Sequence, residues 1–418
     1  MYKTGLIIAA LAGVSAISMP AAAQGKNGDK VANQYICTFH AAAVPPGLVR
    51  IAAEGAARPQ GGRVLMSYKH ALRGFAIYNS EAGIKKMVAA NPGIKSCEPD
   101  RVVQLAPPPG KGPKNDGGGG GGATGQETDW GVLRVYSEMG NGNFAPANGN
   151  WSAKAWVIDS GVAEHEDLNY DLNDPLNISF ITKGRGASSP DDQNGHGTHV
   201  AGTIAAINNK VGVVGVAPNA RIQAVRVLDA RGSGSYIGVL AGVDHVACHA
   251  ADGDVANMSL GGPVDDGPGS LNEAVRNASR ITLAAGATDS NGLACASGTK
   301  DIYFALAAGN ESKDASQTSP ASAATAAFPN IFVVSAFDSS DKFAYFSNFG
   351  SLVDYGEPGV NIKSTYPGGY AIMSGTSMAA PHLAGILVAL SGGVYTDGST
   401  ADESTYGDGN DDTIGLVK

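Results

Sequence analysis

The stretch Ser374-Gly375-Thr376-Ser377-Met378-Ala379-Ala380-Pro381-His382 contains a serine in a turn of small residues, just before an apolar run that ends at Leu390. The apolar run predicts a buried helix that begins at this turn. Small neighbours allow another backbone to approach the Ser377 hydroxyl closely. The first N–H groups of a helix have no intrahelical partner and carry the positive end of its dipole, which would stabilise an anion beside the serine. Alone, the pattern is typical either of a nucleophilic serine or of a tight helix entry.

Two upstream segments favour the nucleophile. Residues 155–161, AWVIDSG, predict an apolar strand that ends in Asp159, and residues 194–203, NGHGTHVAGT, place His196 between glycines at the start of a second apolar helix. A serine hydroxyl needs a base to take its proton, and an imidazole titrates near neutral pH. Open α/β sheets carry their sites at the ends of such elements. The three segments therefore supply an acid, a base and a nucleophile in that chain order.

These segments resemble those of the subtilisin-like serine proteases, and the resemblance extends from about residue 126 to residue 390. It implies a catalytic triad in which Ser377 is the nucleophile, His196 is the general base and Asp159 holds the imidazole in place. It also implies that Asn310 stabilises the oxyanion together with the Ser377 N–H. A sedolisin-type peptidase would need a glutamate in place of His196. The alternative is a non-catalytic relative that only binds peptides, and the presence of all four residues favours an enzyme.

The resemblance also implies a groove in which a substrate peptide pairs with two strand edges. Main-chain pairing of this kind predicts broad specificity. A primary pocket between Leu260 and Gly309, with glycine in its walls, predicts room for a large apolar or aromatic side chain, and Glu311 is a candidate charge at its rim. The residues implied in substrate binding are Gly232, Ser233, Gly234, Ser259, Leu260, Gly261 and Gly309.

A calcium site follows from the same resemblance, because INNKVGV at residues 207–213 matches the calcium loop of the family. Ca²⁺ takes oxygen donors, and carbonyl, amide and carboxylate oxygens are all available here. We expect the site to be complete only after cleavage frees the segment that begins at Gln126. No His/Cys spacing suggests a transition-metal site. The implied calcium ligands are Gln126, Asp167, Ile207, Asn209, Val211 and Val213.

The order of apolar segments predicts two folded regions. From Trp130 onward, strands alternate with helices, which predicts an α/β fold with a mostly parallel central sheet and helices on both faces. Residues 24–105 predict a small ferredoxin-like α+β domain with the order strand, helix, two strands, helix and strand. Within it, YKHALRGF at residues 68–75 and EPD at residues 98–100 resemble the inhibitory propeptide of the same protease family. The resemblance implies an intramolecular inhibitor that also aids folding.

Composition divides the chain further. Residues 1–23 contain a lysine, an apolar run and a terminal AAA, which predicts a signal peptide and a secreted protein, extracellular or periplasmic. Residues 106–125 are rich in proline and glycine and predict a linker, so we expect self-processing of the zymogen between Leu105 and Gln126. Residues 126–418 are the predicted catalytic domain, and we interpret its Gly- and Asp-rich end as a solvated acidic tail.

Four cysteines fit an oxidising compartment and allow three pairings. Cys37 and Cys97 belong to the N-terminal region, and Cys248 and Cys295 belong to the protease-like region. We favour pairing within each region, because such bonds would survive cleavage between the regions; four free thiols are the alternative. Cys295 lies in residues 283–299, which resemble an insertion into the family pattern, and a bond to Cys248 would pin them.

Charge is distributed unevenly along the chain. The formal net charge of −9 at pH 7 disfavours nucleic acid as a partner. Basic side chains outnumber acidic ones from Val31 to Leu105, whereas the reverse holds from Gln126 to Lys418. Opposite charges favour docking of the two regions. We expect protein or peptide substrates, the chain's own propeptide as an inhibitor, no membrane partner and a monomeric state.

Overall fold

A computed structural model describes residues 25–105, 114–115, 125–141, 143–264, 269–401 and 407–417. The predicted signal peptide lies outside these residues, as does most of the predicted linker. A two-residue strand inside that linker, Lys114–Asn115, pairs with a hairpin of the second region. Within the described part of the chain, no helix is both long and apolar enough to cross a membrane.

The first region has the predicted ferredoxin-like order. Its strands pair antiparallel in the order β4-β1-β3-β2, and two helices cover one face of the sheet around Phe75, Ile77 and Met87. Ser80 caps α2 by accepting a hydrogen bond from the Gly83 N–H. The elements are β1 Lys30–Phe39, α1 Val49–Ala57, β2 Arg63–Tyr68, β3 Gly74–Tyr78, α2 Glu81–Ala90 and β4 Ile94–Gln104.

Two neighbouring strands of this small sheet, β1 and β4, are also joined covalently. Cys37 on β1 lies directly opposite Cys97 on β4, and the two form a disulfide. A second disulfide joins Cys248 and Cys295. The structure thus has one bond within each region, the pairing that the sequence favoured.

The remaining elements belong to the linker, which contains β5, and to the second region, which contains the rest. They are β5 Lys114–Asn115, β6 Gln126–Glu127, α3 Trp130–Val135, β7 Ala155–Asp159, β8 Ile178–Ser179, α4 His196–Ala205, β9 Gly212–Val213, β10 Ile222–Arg226, β11 Ser233–Ser235, α5 Tyr236–His249, β12 Val255–Met258, β13 Gly262–Pro263, α6 Ser270–Ser279, β14 Arg280–Leu283, β15 Gly298–Asp301, β16 Tyr303–Ala307, β17 Thr318–Ser319, β18 Ile331–Phe337, β19 Tyr355–Pro358, β20 Ile362–Tyr366, β21 Gly369–Met373, α7 Thr376–Ala389, β22 Tyr395–Ser399 and β23 Thr413–Leu416.

A nine-stranded sheet in the order β22-β23-β19-β18-β16-β12-β7-β10-β8 forms the centre of this region. All of its pairs are parallel except β22–β23. Successive side chains on a strand point to opposite faces. On β7, Trp156 and Ile158 therefore pack in one core with α5 and α6, and Ala155 and Val157 pack in the other with α4 and α7. The predicted parallel sheet with helices on both faces is confirmed.

The C-terminal tail differs from its predicted form. β22 and β23 extend the central sheet beyond β19, and Ile414 and Leu416 are buried there. Asp412 is buried too, and its carboxylate accepts a hydrogen bond from the Ser335 hydroxyl. Burial raises the pKa of Asp412 to about 6. The interpretation of this end as a solvated acidic tail is therefore wrong for these residues, because alternating apolar side chains let a polar, glycine-rich segment add to a sheet edge.

The two regions share a strand pairing. β4 of the first region pairs antiparallel with β11 of the second, so that the small sheet has the full order β11-β4-β1-β3-β2. This pairing directs the end of β4 toward the carboxyl ends of the central strands, where the candidate site lies.

Candidate active site

A buried histidine and carboxylate form the centre of the site. Asp159 ends β7 and is fully buried, and His196 begins α4. His196 Nδ1 lies 2.9 Å and 3.0 Å from the two Asp159 carboxylate oxygens. Because a carboxylate only accepts, Nδ1 is the protonated nitrogen, and Nε2 has the lone pair when the ring is neutral. An added Cβ at Gly197 would collide with the Gly161 carbonyl. Glycine at this position therefore lets the start of α4 lie close to the segment that follows β7.

Nearby negative charges stabilise the protonated form of His196. Burial lowers the pKa of His196, but the charge and hydrogen bond of Asp159, helped by the charge of Asp192, outweigh burial and raise that pKa above 6.5. The neighbouring His199 behaves differently, since burial lowers its pKa to about 3 and its Nε2 faces the Ile362 and Ala371 carbonyls. Of the two histidines on α4, only His196 can change charge near neutral pH.

Ser377 lies in the first turn of α7, where its N–H has no acceptor in the same helix. Pro381, one turn later, has no N–H to donate to the Ser377 carbonyl. The Ser259 hydroxyl donates to that carbonyl instead, at 2.8 Å. The Ser377 hydroxyl in turn donates to the Ser259 carbonyl at 3.1 Å, rather than to His196. In this state the Ser377 hydroxyl is therefore bonded to a carbonyl and not to the imidazole.

One cavity of about 340 Å³ brings these groups together. His196, Asn310 and Ser377 line it, together with Leu105 at the end of the first region. The Asn310 side-chain oxygen accepts from the Thr376 N–H at 2.9 Å and from the Thr376 hydroxyl at 3.0 Å. Because the amide oxygen accepts both of these hydrogen bonds, the NH2 group of Asn310 is directed away from Thr376. The site thus has a serine, a base with its carboxylate, and an oriented amide donor around one space.

The predicted peptide groove holds part of the chain itself. Gln104, Val103 and Val102 of β4 lie opposite Ser233, Gly234 and Ser235 in turn, and the Leu105 N–H donates to the Gly232 carbonyl at 2.9 Å. Gly232 has φ +72°, and an added Cβ would press on the Leu105 side chain. Glycine is therefore required at this edge both for its conformation and for the close approach of a second strand.

The other edge of the groove is reached by a residue that sequence reasoning missed. Asn27 donates from Nδ2 to the Gly261 carbonyl at 3.1 Å and accepts from the Gln104 N–H at 3.3 Å. Its amide thus joins β4 to the segment that contains Ser259 and Leu260. Nothing near Asn27 in the sequence signals this role, because its partners lie far along the chain.

The predicted primary pocket is small. A cavity of about 30 Å³ lies between Leu260 and Gly309, and Glu311 and Thr318 line it as well. The Glu311 carboxylate accepts a hydrogen bond from Asn348 Nδ2 at 2.9 Å. In this state the pocket offers little of the room that glycine walls suggested for an aromatic side chain, and Gln104 and Leu105 of the N-terminal region line it together with Glu311.

The implied calcium ligands meet at one loop. β6 pairs with β9, and Gln126 Nε2 donates to the Ile207 carbonyl at 2.9 Å. The Asp167 Oδ2 atom accepts from the Val213 N–H at 3.0 Å, whereas Oδ1 is buried without a hydrogen-bond partner. Asn209 Oδ1 accepts from the Val211 N–H at 2.9 Å. An orphaned carboxylate oxygen beside converging carbonyls fits a hard cation.

The uncut chain already has Gln126 in this loop. β6 pairs with β9 before cleavage, but Gln126 presents its Nε2 rather than its oxygen to the Ile207 carbonyl, so completion of the site by cleavage stays a prediction. Burial raises the pKa of Asp167, and hydrogen bonds from Val213 and Tyr370 oppose this only in part. A cation would stabilise the charged form of this carboxylate.

Carboxylates of each region bind N–H groups of the other. Asp244 on α5 accepts from three consecutive N–H groups, those of Lys69, His70 and Ala71, at 2.7–2.9 Å. In the opposite direction, Glu98 accepts from the Gly269 and Ser270 N–H groups at the start of α6, and Asp100 accepts from the Ile237 N–H at the start of α5. Negative charge at helix N-termini is stabilising. The EPD motif had indicated Glu98 and Asp100, whereas Asp244 gave no signal in the sequence.

Comparisons with known proteins agree with this architecture. The profile described as "Peptidase inhibitor I9" matches residues 25–106, and the profile described as "Subtilase family" matches residues 155–402. An alkaline protease from Alkalihalobacillus alcalophilus is 39% identical over 261 residues, which is 62% of this chain and 58% of that protein. Subtilisin Savinase from Lederbergia lenta is 38% identical over 62% of this chain and 82% of its own length. Alkaline serine exoprotease A from Vibrio alginolyticus is 35% identical over 76% of this chain and 52% of its own length.

The aligned part thus spans less than two thirds of two of these three relatives. The subtilase match nevertheless covers more than half of the chain and includes β7, α4 and α7, the elements that hold Asp159, His196 and Ser377. The chain belongs to the subtilase family of serine peptidases and has a peptidase inhibitor I9 domain at its N-terminal side.

Proposed function

We propose that this protein is a secreted serine endopeptidase of broad specificity, made as a precursor that its own N-terminal domain inhibits. The observation that carries the proposal is the meeting of four features around one cavity: the His196–Asp159 pair, Ser377, Asn310 and the chain's own Leu105. Family membership supports peptide hydrolysis as the reaction. The two disulfides support an oxidising compartment and hence export.

The proposed chemistry follows from these positions. Ser377 attacks the substrate carbonyl while His196 Nε2 takes the hydroxyl proton, and Asp159 stabilises the imidazolium that forms. The oxyanion accepts hydrogen bonds from the Asn310 NH2 group and the Ser377 N–H. His196 then gives the proton to the departing amine, which leaves an acyl group on Ser377. Water, activated by the same histidine, hydrolyses this ester and restores the site.

The proposed inhibitor uses the groove in the way a substrate would. β4 adds a strand to the Gly232–Ser235 edge, and Leu105 reaches the cavity that contains Ser377. The bond that matures the protein is therefore proposed to lie within a few residues after Leu105. After cleavage, the contacts of Asp244, Glu98 and Asp100 would keep the N-terminal domain bound as a product inhibitor.

Calcium is the proposed cofactor. The Asp167 carboxylate, the Asn209 side chain, the Gln126 side chain and the carbonyls of Ile207, Val211 and Val213 would hold it. The ion would supply positive charge to the buried Asp167 carboxylate and tie the 207–213 loop to the segment that begins at Gln126. Its role is structural, because these residues do not line the cavity around Ser377.

Self-processing tests the proposed function. We expect the purified wild-type chain to lose its N-terminal domain and then to cleave casein, while Ser377→Ala stays full-length by intact mass and is inactive. Ser391→Ala, beyond the end of α7, is the control and should behave as the wild type. N-terminal sequencing of the product gives the bond. If the wild-type chain stays full-length and does not cleave casein, the proposal fails and the alternative of a non-catalytic peptide-binding protein is favoured.

The pH dependence of activity tests the role of Asp159. Because the His196 pKa is raised, kcat/KM should increase with pH through an apparent pKa above 6.5, as the base loses its proton. Asp159→Asn removes the charge that raises this pKa while burial stays, so the pKa should move below 6.5 and kcat should decrease by about 10⁴-fold. NMR titration of the histidines in Ser377→Ala gives the pKa directly. His199 is an internal control, since it should stay neutral from pH 5 to 9; an unchanged His196 pKa in Asp159→Asn would contradict the pairing.

Chelation tests the calcium proposal. We expect EDTA to lower the unfolding temperature of Ser377→Ala, and excess Ca²⁺ to restore it, because a ligand at about 100 times its Kd stabilises the folded state by about 2.7 kcal/mol. Asp167→Asn should abolish this response. The exposed Asp411→Asn is the matched control and should keep it. Equal unfolding temperatures in EDTA and Ca²⁺ would refute the site.

The Asn27 bridge makes a separate prediction about inhibition. Asn27→Ala removes one hydrogen bond between the N-terminal domain and the groove, the bond to the Gly261 carbonyl, together with the Gln104 contact that positions the amide, and should weaken the association by about 0.5–1.5 kcal/mol. The lag before casein hydrolysis should shorten after self-processing. Lys26→Ala changes the exposed neighbouring side chain and should leave the lag as in the wild type. Equal lags in all three proteins would show that the bridge does not contribute to inhibition.

A further inference from the structure

A group of metal-ligating side chains lies away from the catalytic cavity. His245 and His249 are one turn apart on α5, and Asp289 belongs to the 283–299 insertion. All three are buried, with exposed fractions of 5%, 5% and 8%. One ligand atom from each lies within 4.8 Å of the others. The sequence interpretation had found no transition-metal spacing and overlooked this pair of histidines.

The hydrogen bonds around the group orient it for ligation. The Leu176 carbonyl can only accept, so its 2.9 Å contact with His245 Nε2 shows that Nε2 is protonated and that a neutral ring has its lone pair on Nδ1. Asp289 Oδ1 accepts from the N–H groups of Asn291 and Leu293, at 2.8 Å and 2.9 Å. Oδ2 is thereby directed to His249. Metal-binding histidines and carboxylates in proteins have outer partners of this kind.

One ligand–ligand distance in the group matches that of a small tetrahedral ion, and the other two are at most 4.8 Å. Bonds of about 2.0–2.2 Å to nitrogen and oxygen put neighbouring ligand atoms roughly 3.3–3.5 Å apart in a zinc site. His249 Nε2 and Asp289 Oδ2 are 3.4 Å apart. Two histidines at positions i and i+4 of a helix can bind one ion from the same face. An ordinary hydrogen bond between His249 and Asp289 would explain their contact, and His245 also packs against Trp156. A metal is favoured because one ligand atom from each of the three side chains lies within 4.8 Å of the others.

We propose that His245, His249 and Asp289 form a transition-metal site of the Zn²⁺ type that holds the 283–299 insertion on α5. Two imidazoles and one carboxylate are a ligand set that suits Zn²⁺ and leaves one position for water. A cavity of about 240 Å³ adjoins the group, with His245 and Asp289 in its wall, and gives such a water access. Calcium is excluded as the preferred ion because it favours oxygen ligands.

The site would influence how the N-terminal domain docks. The insertion contacts that domain through hydrogen bonds that include those from Lys69 Nζ to the Asp289 carbonyl at 2.7 Å, between His70 and the Thr288 carbonyl at 3.1 Å, and from Ser290 to the Ser67 carbonyl at 3.2 Å. The Cys248–Cys295 disulfide fixes the same insertion at a second point. A metal at Asp289 therefore orders a loop that contacts both domains. This proposal does not depend on whether Ser377 is catalytic.

Zinc titration of the full chain tests the proposal. The protein is Ser377→Ala, which stays in one piece, stripped with EDTA and then kept in excess Ca²⁺ so that oxygen sites are filled. We expect one equivalent of Zn²⁺ by calorimetry, and Co²⁺ in its place should give the visible absorption of a four- or five-coordinate ion. His249→Gln and Asp289→Asn should each lower the affinity by roughly 100-fold or more, since even outer partners of metal ligands contribute 10–100-fold. The exposed His40→Gln is the control and should bind as the parent does.

A second measurement does not depend on the folding of the variants. Zinc K-edge X-ray absorption of the loaded parent protein should show two imidazoles and oxygen donors. The proposal is overturned if the parent binds no stoichiometric Zn²⁺, if His249→Gln and Asp289→Asn bind as tightly as His40→Gln, or if the absorption shows fewer than two imidazoles.

Discussion

The buried carboxylate of Asp159 is the constraint on which the site depends. A charge removed from water must be paired and hydrogen-bonded, or the group becomes neutral. Asp159 is fully buried and obtains its partners from the Ser160 N–H at 2.7 Å and from His196. These contacts join the end of β7 to the start of α4. The position of the candidate base is thus fixed by the need to satisfy an acid at the centre of the sheet.

The two regions satisfy each other's polar groups in both directions. Asp244 accepts three N–H groups from a turn of the small domain, and Glu98 and Asp100 of that domain accept N–H groups at the start of α6 and α5. The ends of helices have unpaired N–H groups that water or an acid must satisfy. Docking therefore replaces water at several backbone donors at once. The opposite net charges of the two regions aid their encounter, whereas Glu98 and Asp100 are acids of the basic region and act through local hydrogen bonds.

The candidate groove explains why a substrate and an inhibitor can use the same residues. The short edge at β11 pairs through its main chain and can therefore accept any extended strand. β4 is that strand in the uncut chain, and Asn27 completes its attachment on the side of Gly261. On the opposite side, the Ser259 hydroxyl donates to the Ser377 carbonyl, because Pro381 has no N–H to donate to it. Main-chain geometry, more than side-chain chemistry, thus forms this groove.

Local patterns in the sequence predicted the parts that depend on neighbours along the chain. The apolar run of β7, the apolar helix after Ser377 and the strand order of the small domain follow from hydrophobic patterning and capping, so fold class was accessible, and the resemblance of three short segments to a known family gave the candidate triad. The sheet strands β22 and β23 were not, because their composition is polar and only packing against β19 gives Ile414 a buried place.

Contacts between distant segments were decided by tertiary structure alone. Asn27 and Gly261, Asp244 and His70, and Asp289 and His249 meet because two folded units and one disulfide bring them together. No period of 2 or 3.6 residues encodes a partner 40 to 234 positions away. The sequence by itself determined which elements form and which of them end in chemically active side chains. The folded chain decided which of those ends face one another, because register and burial depend on the packing of whole surfaces.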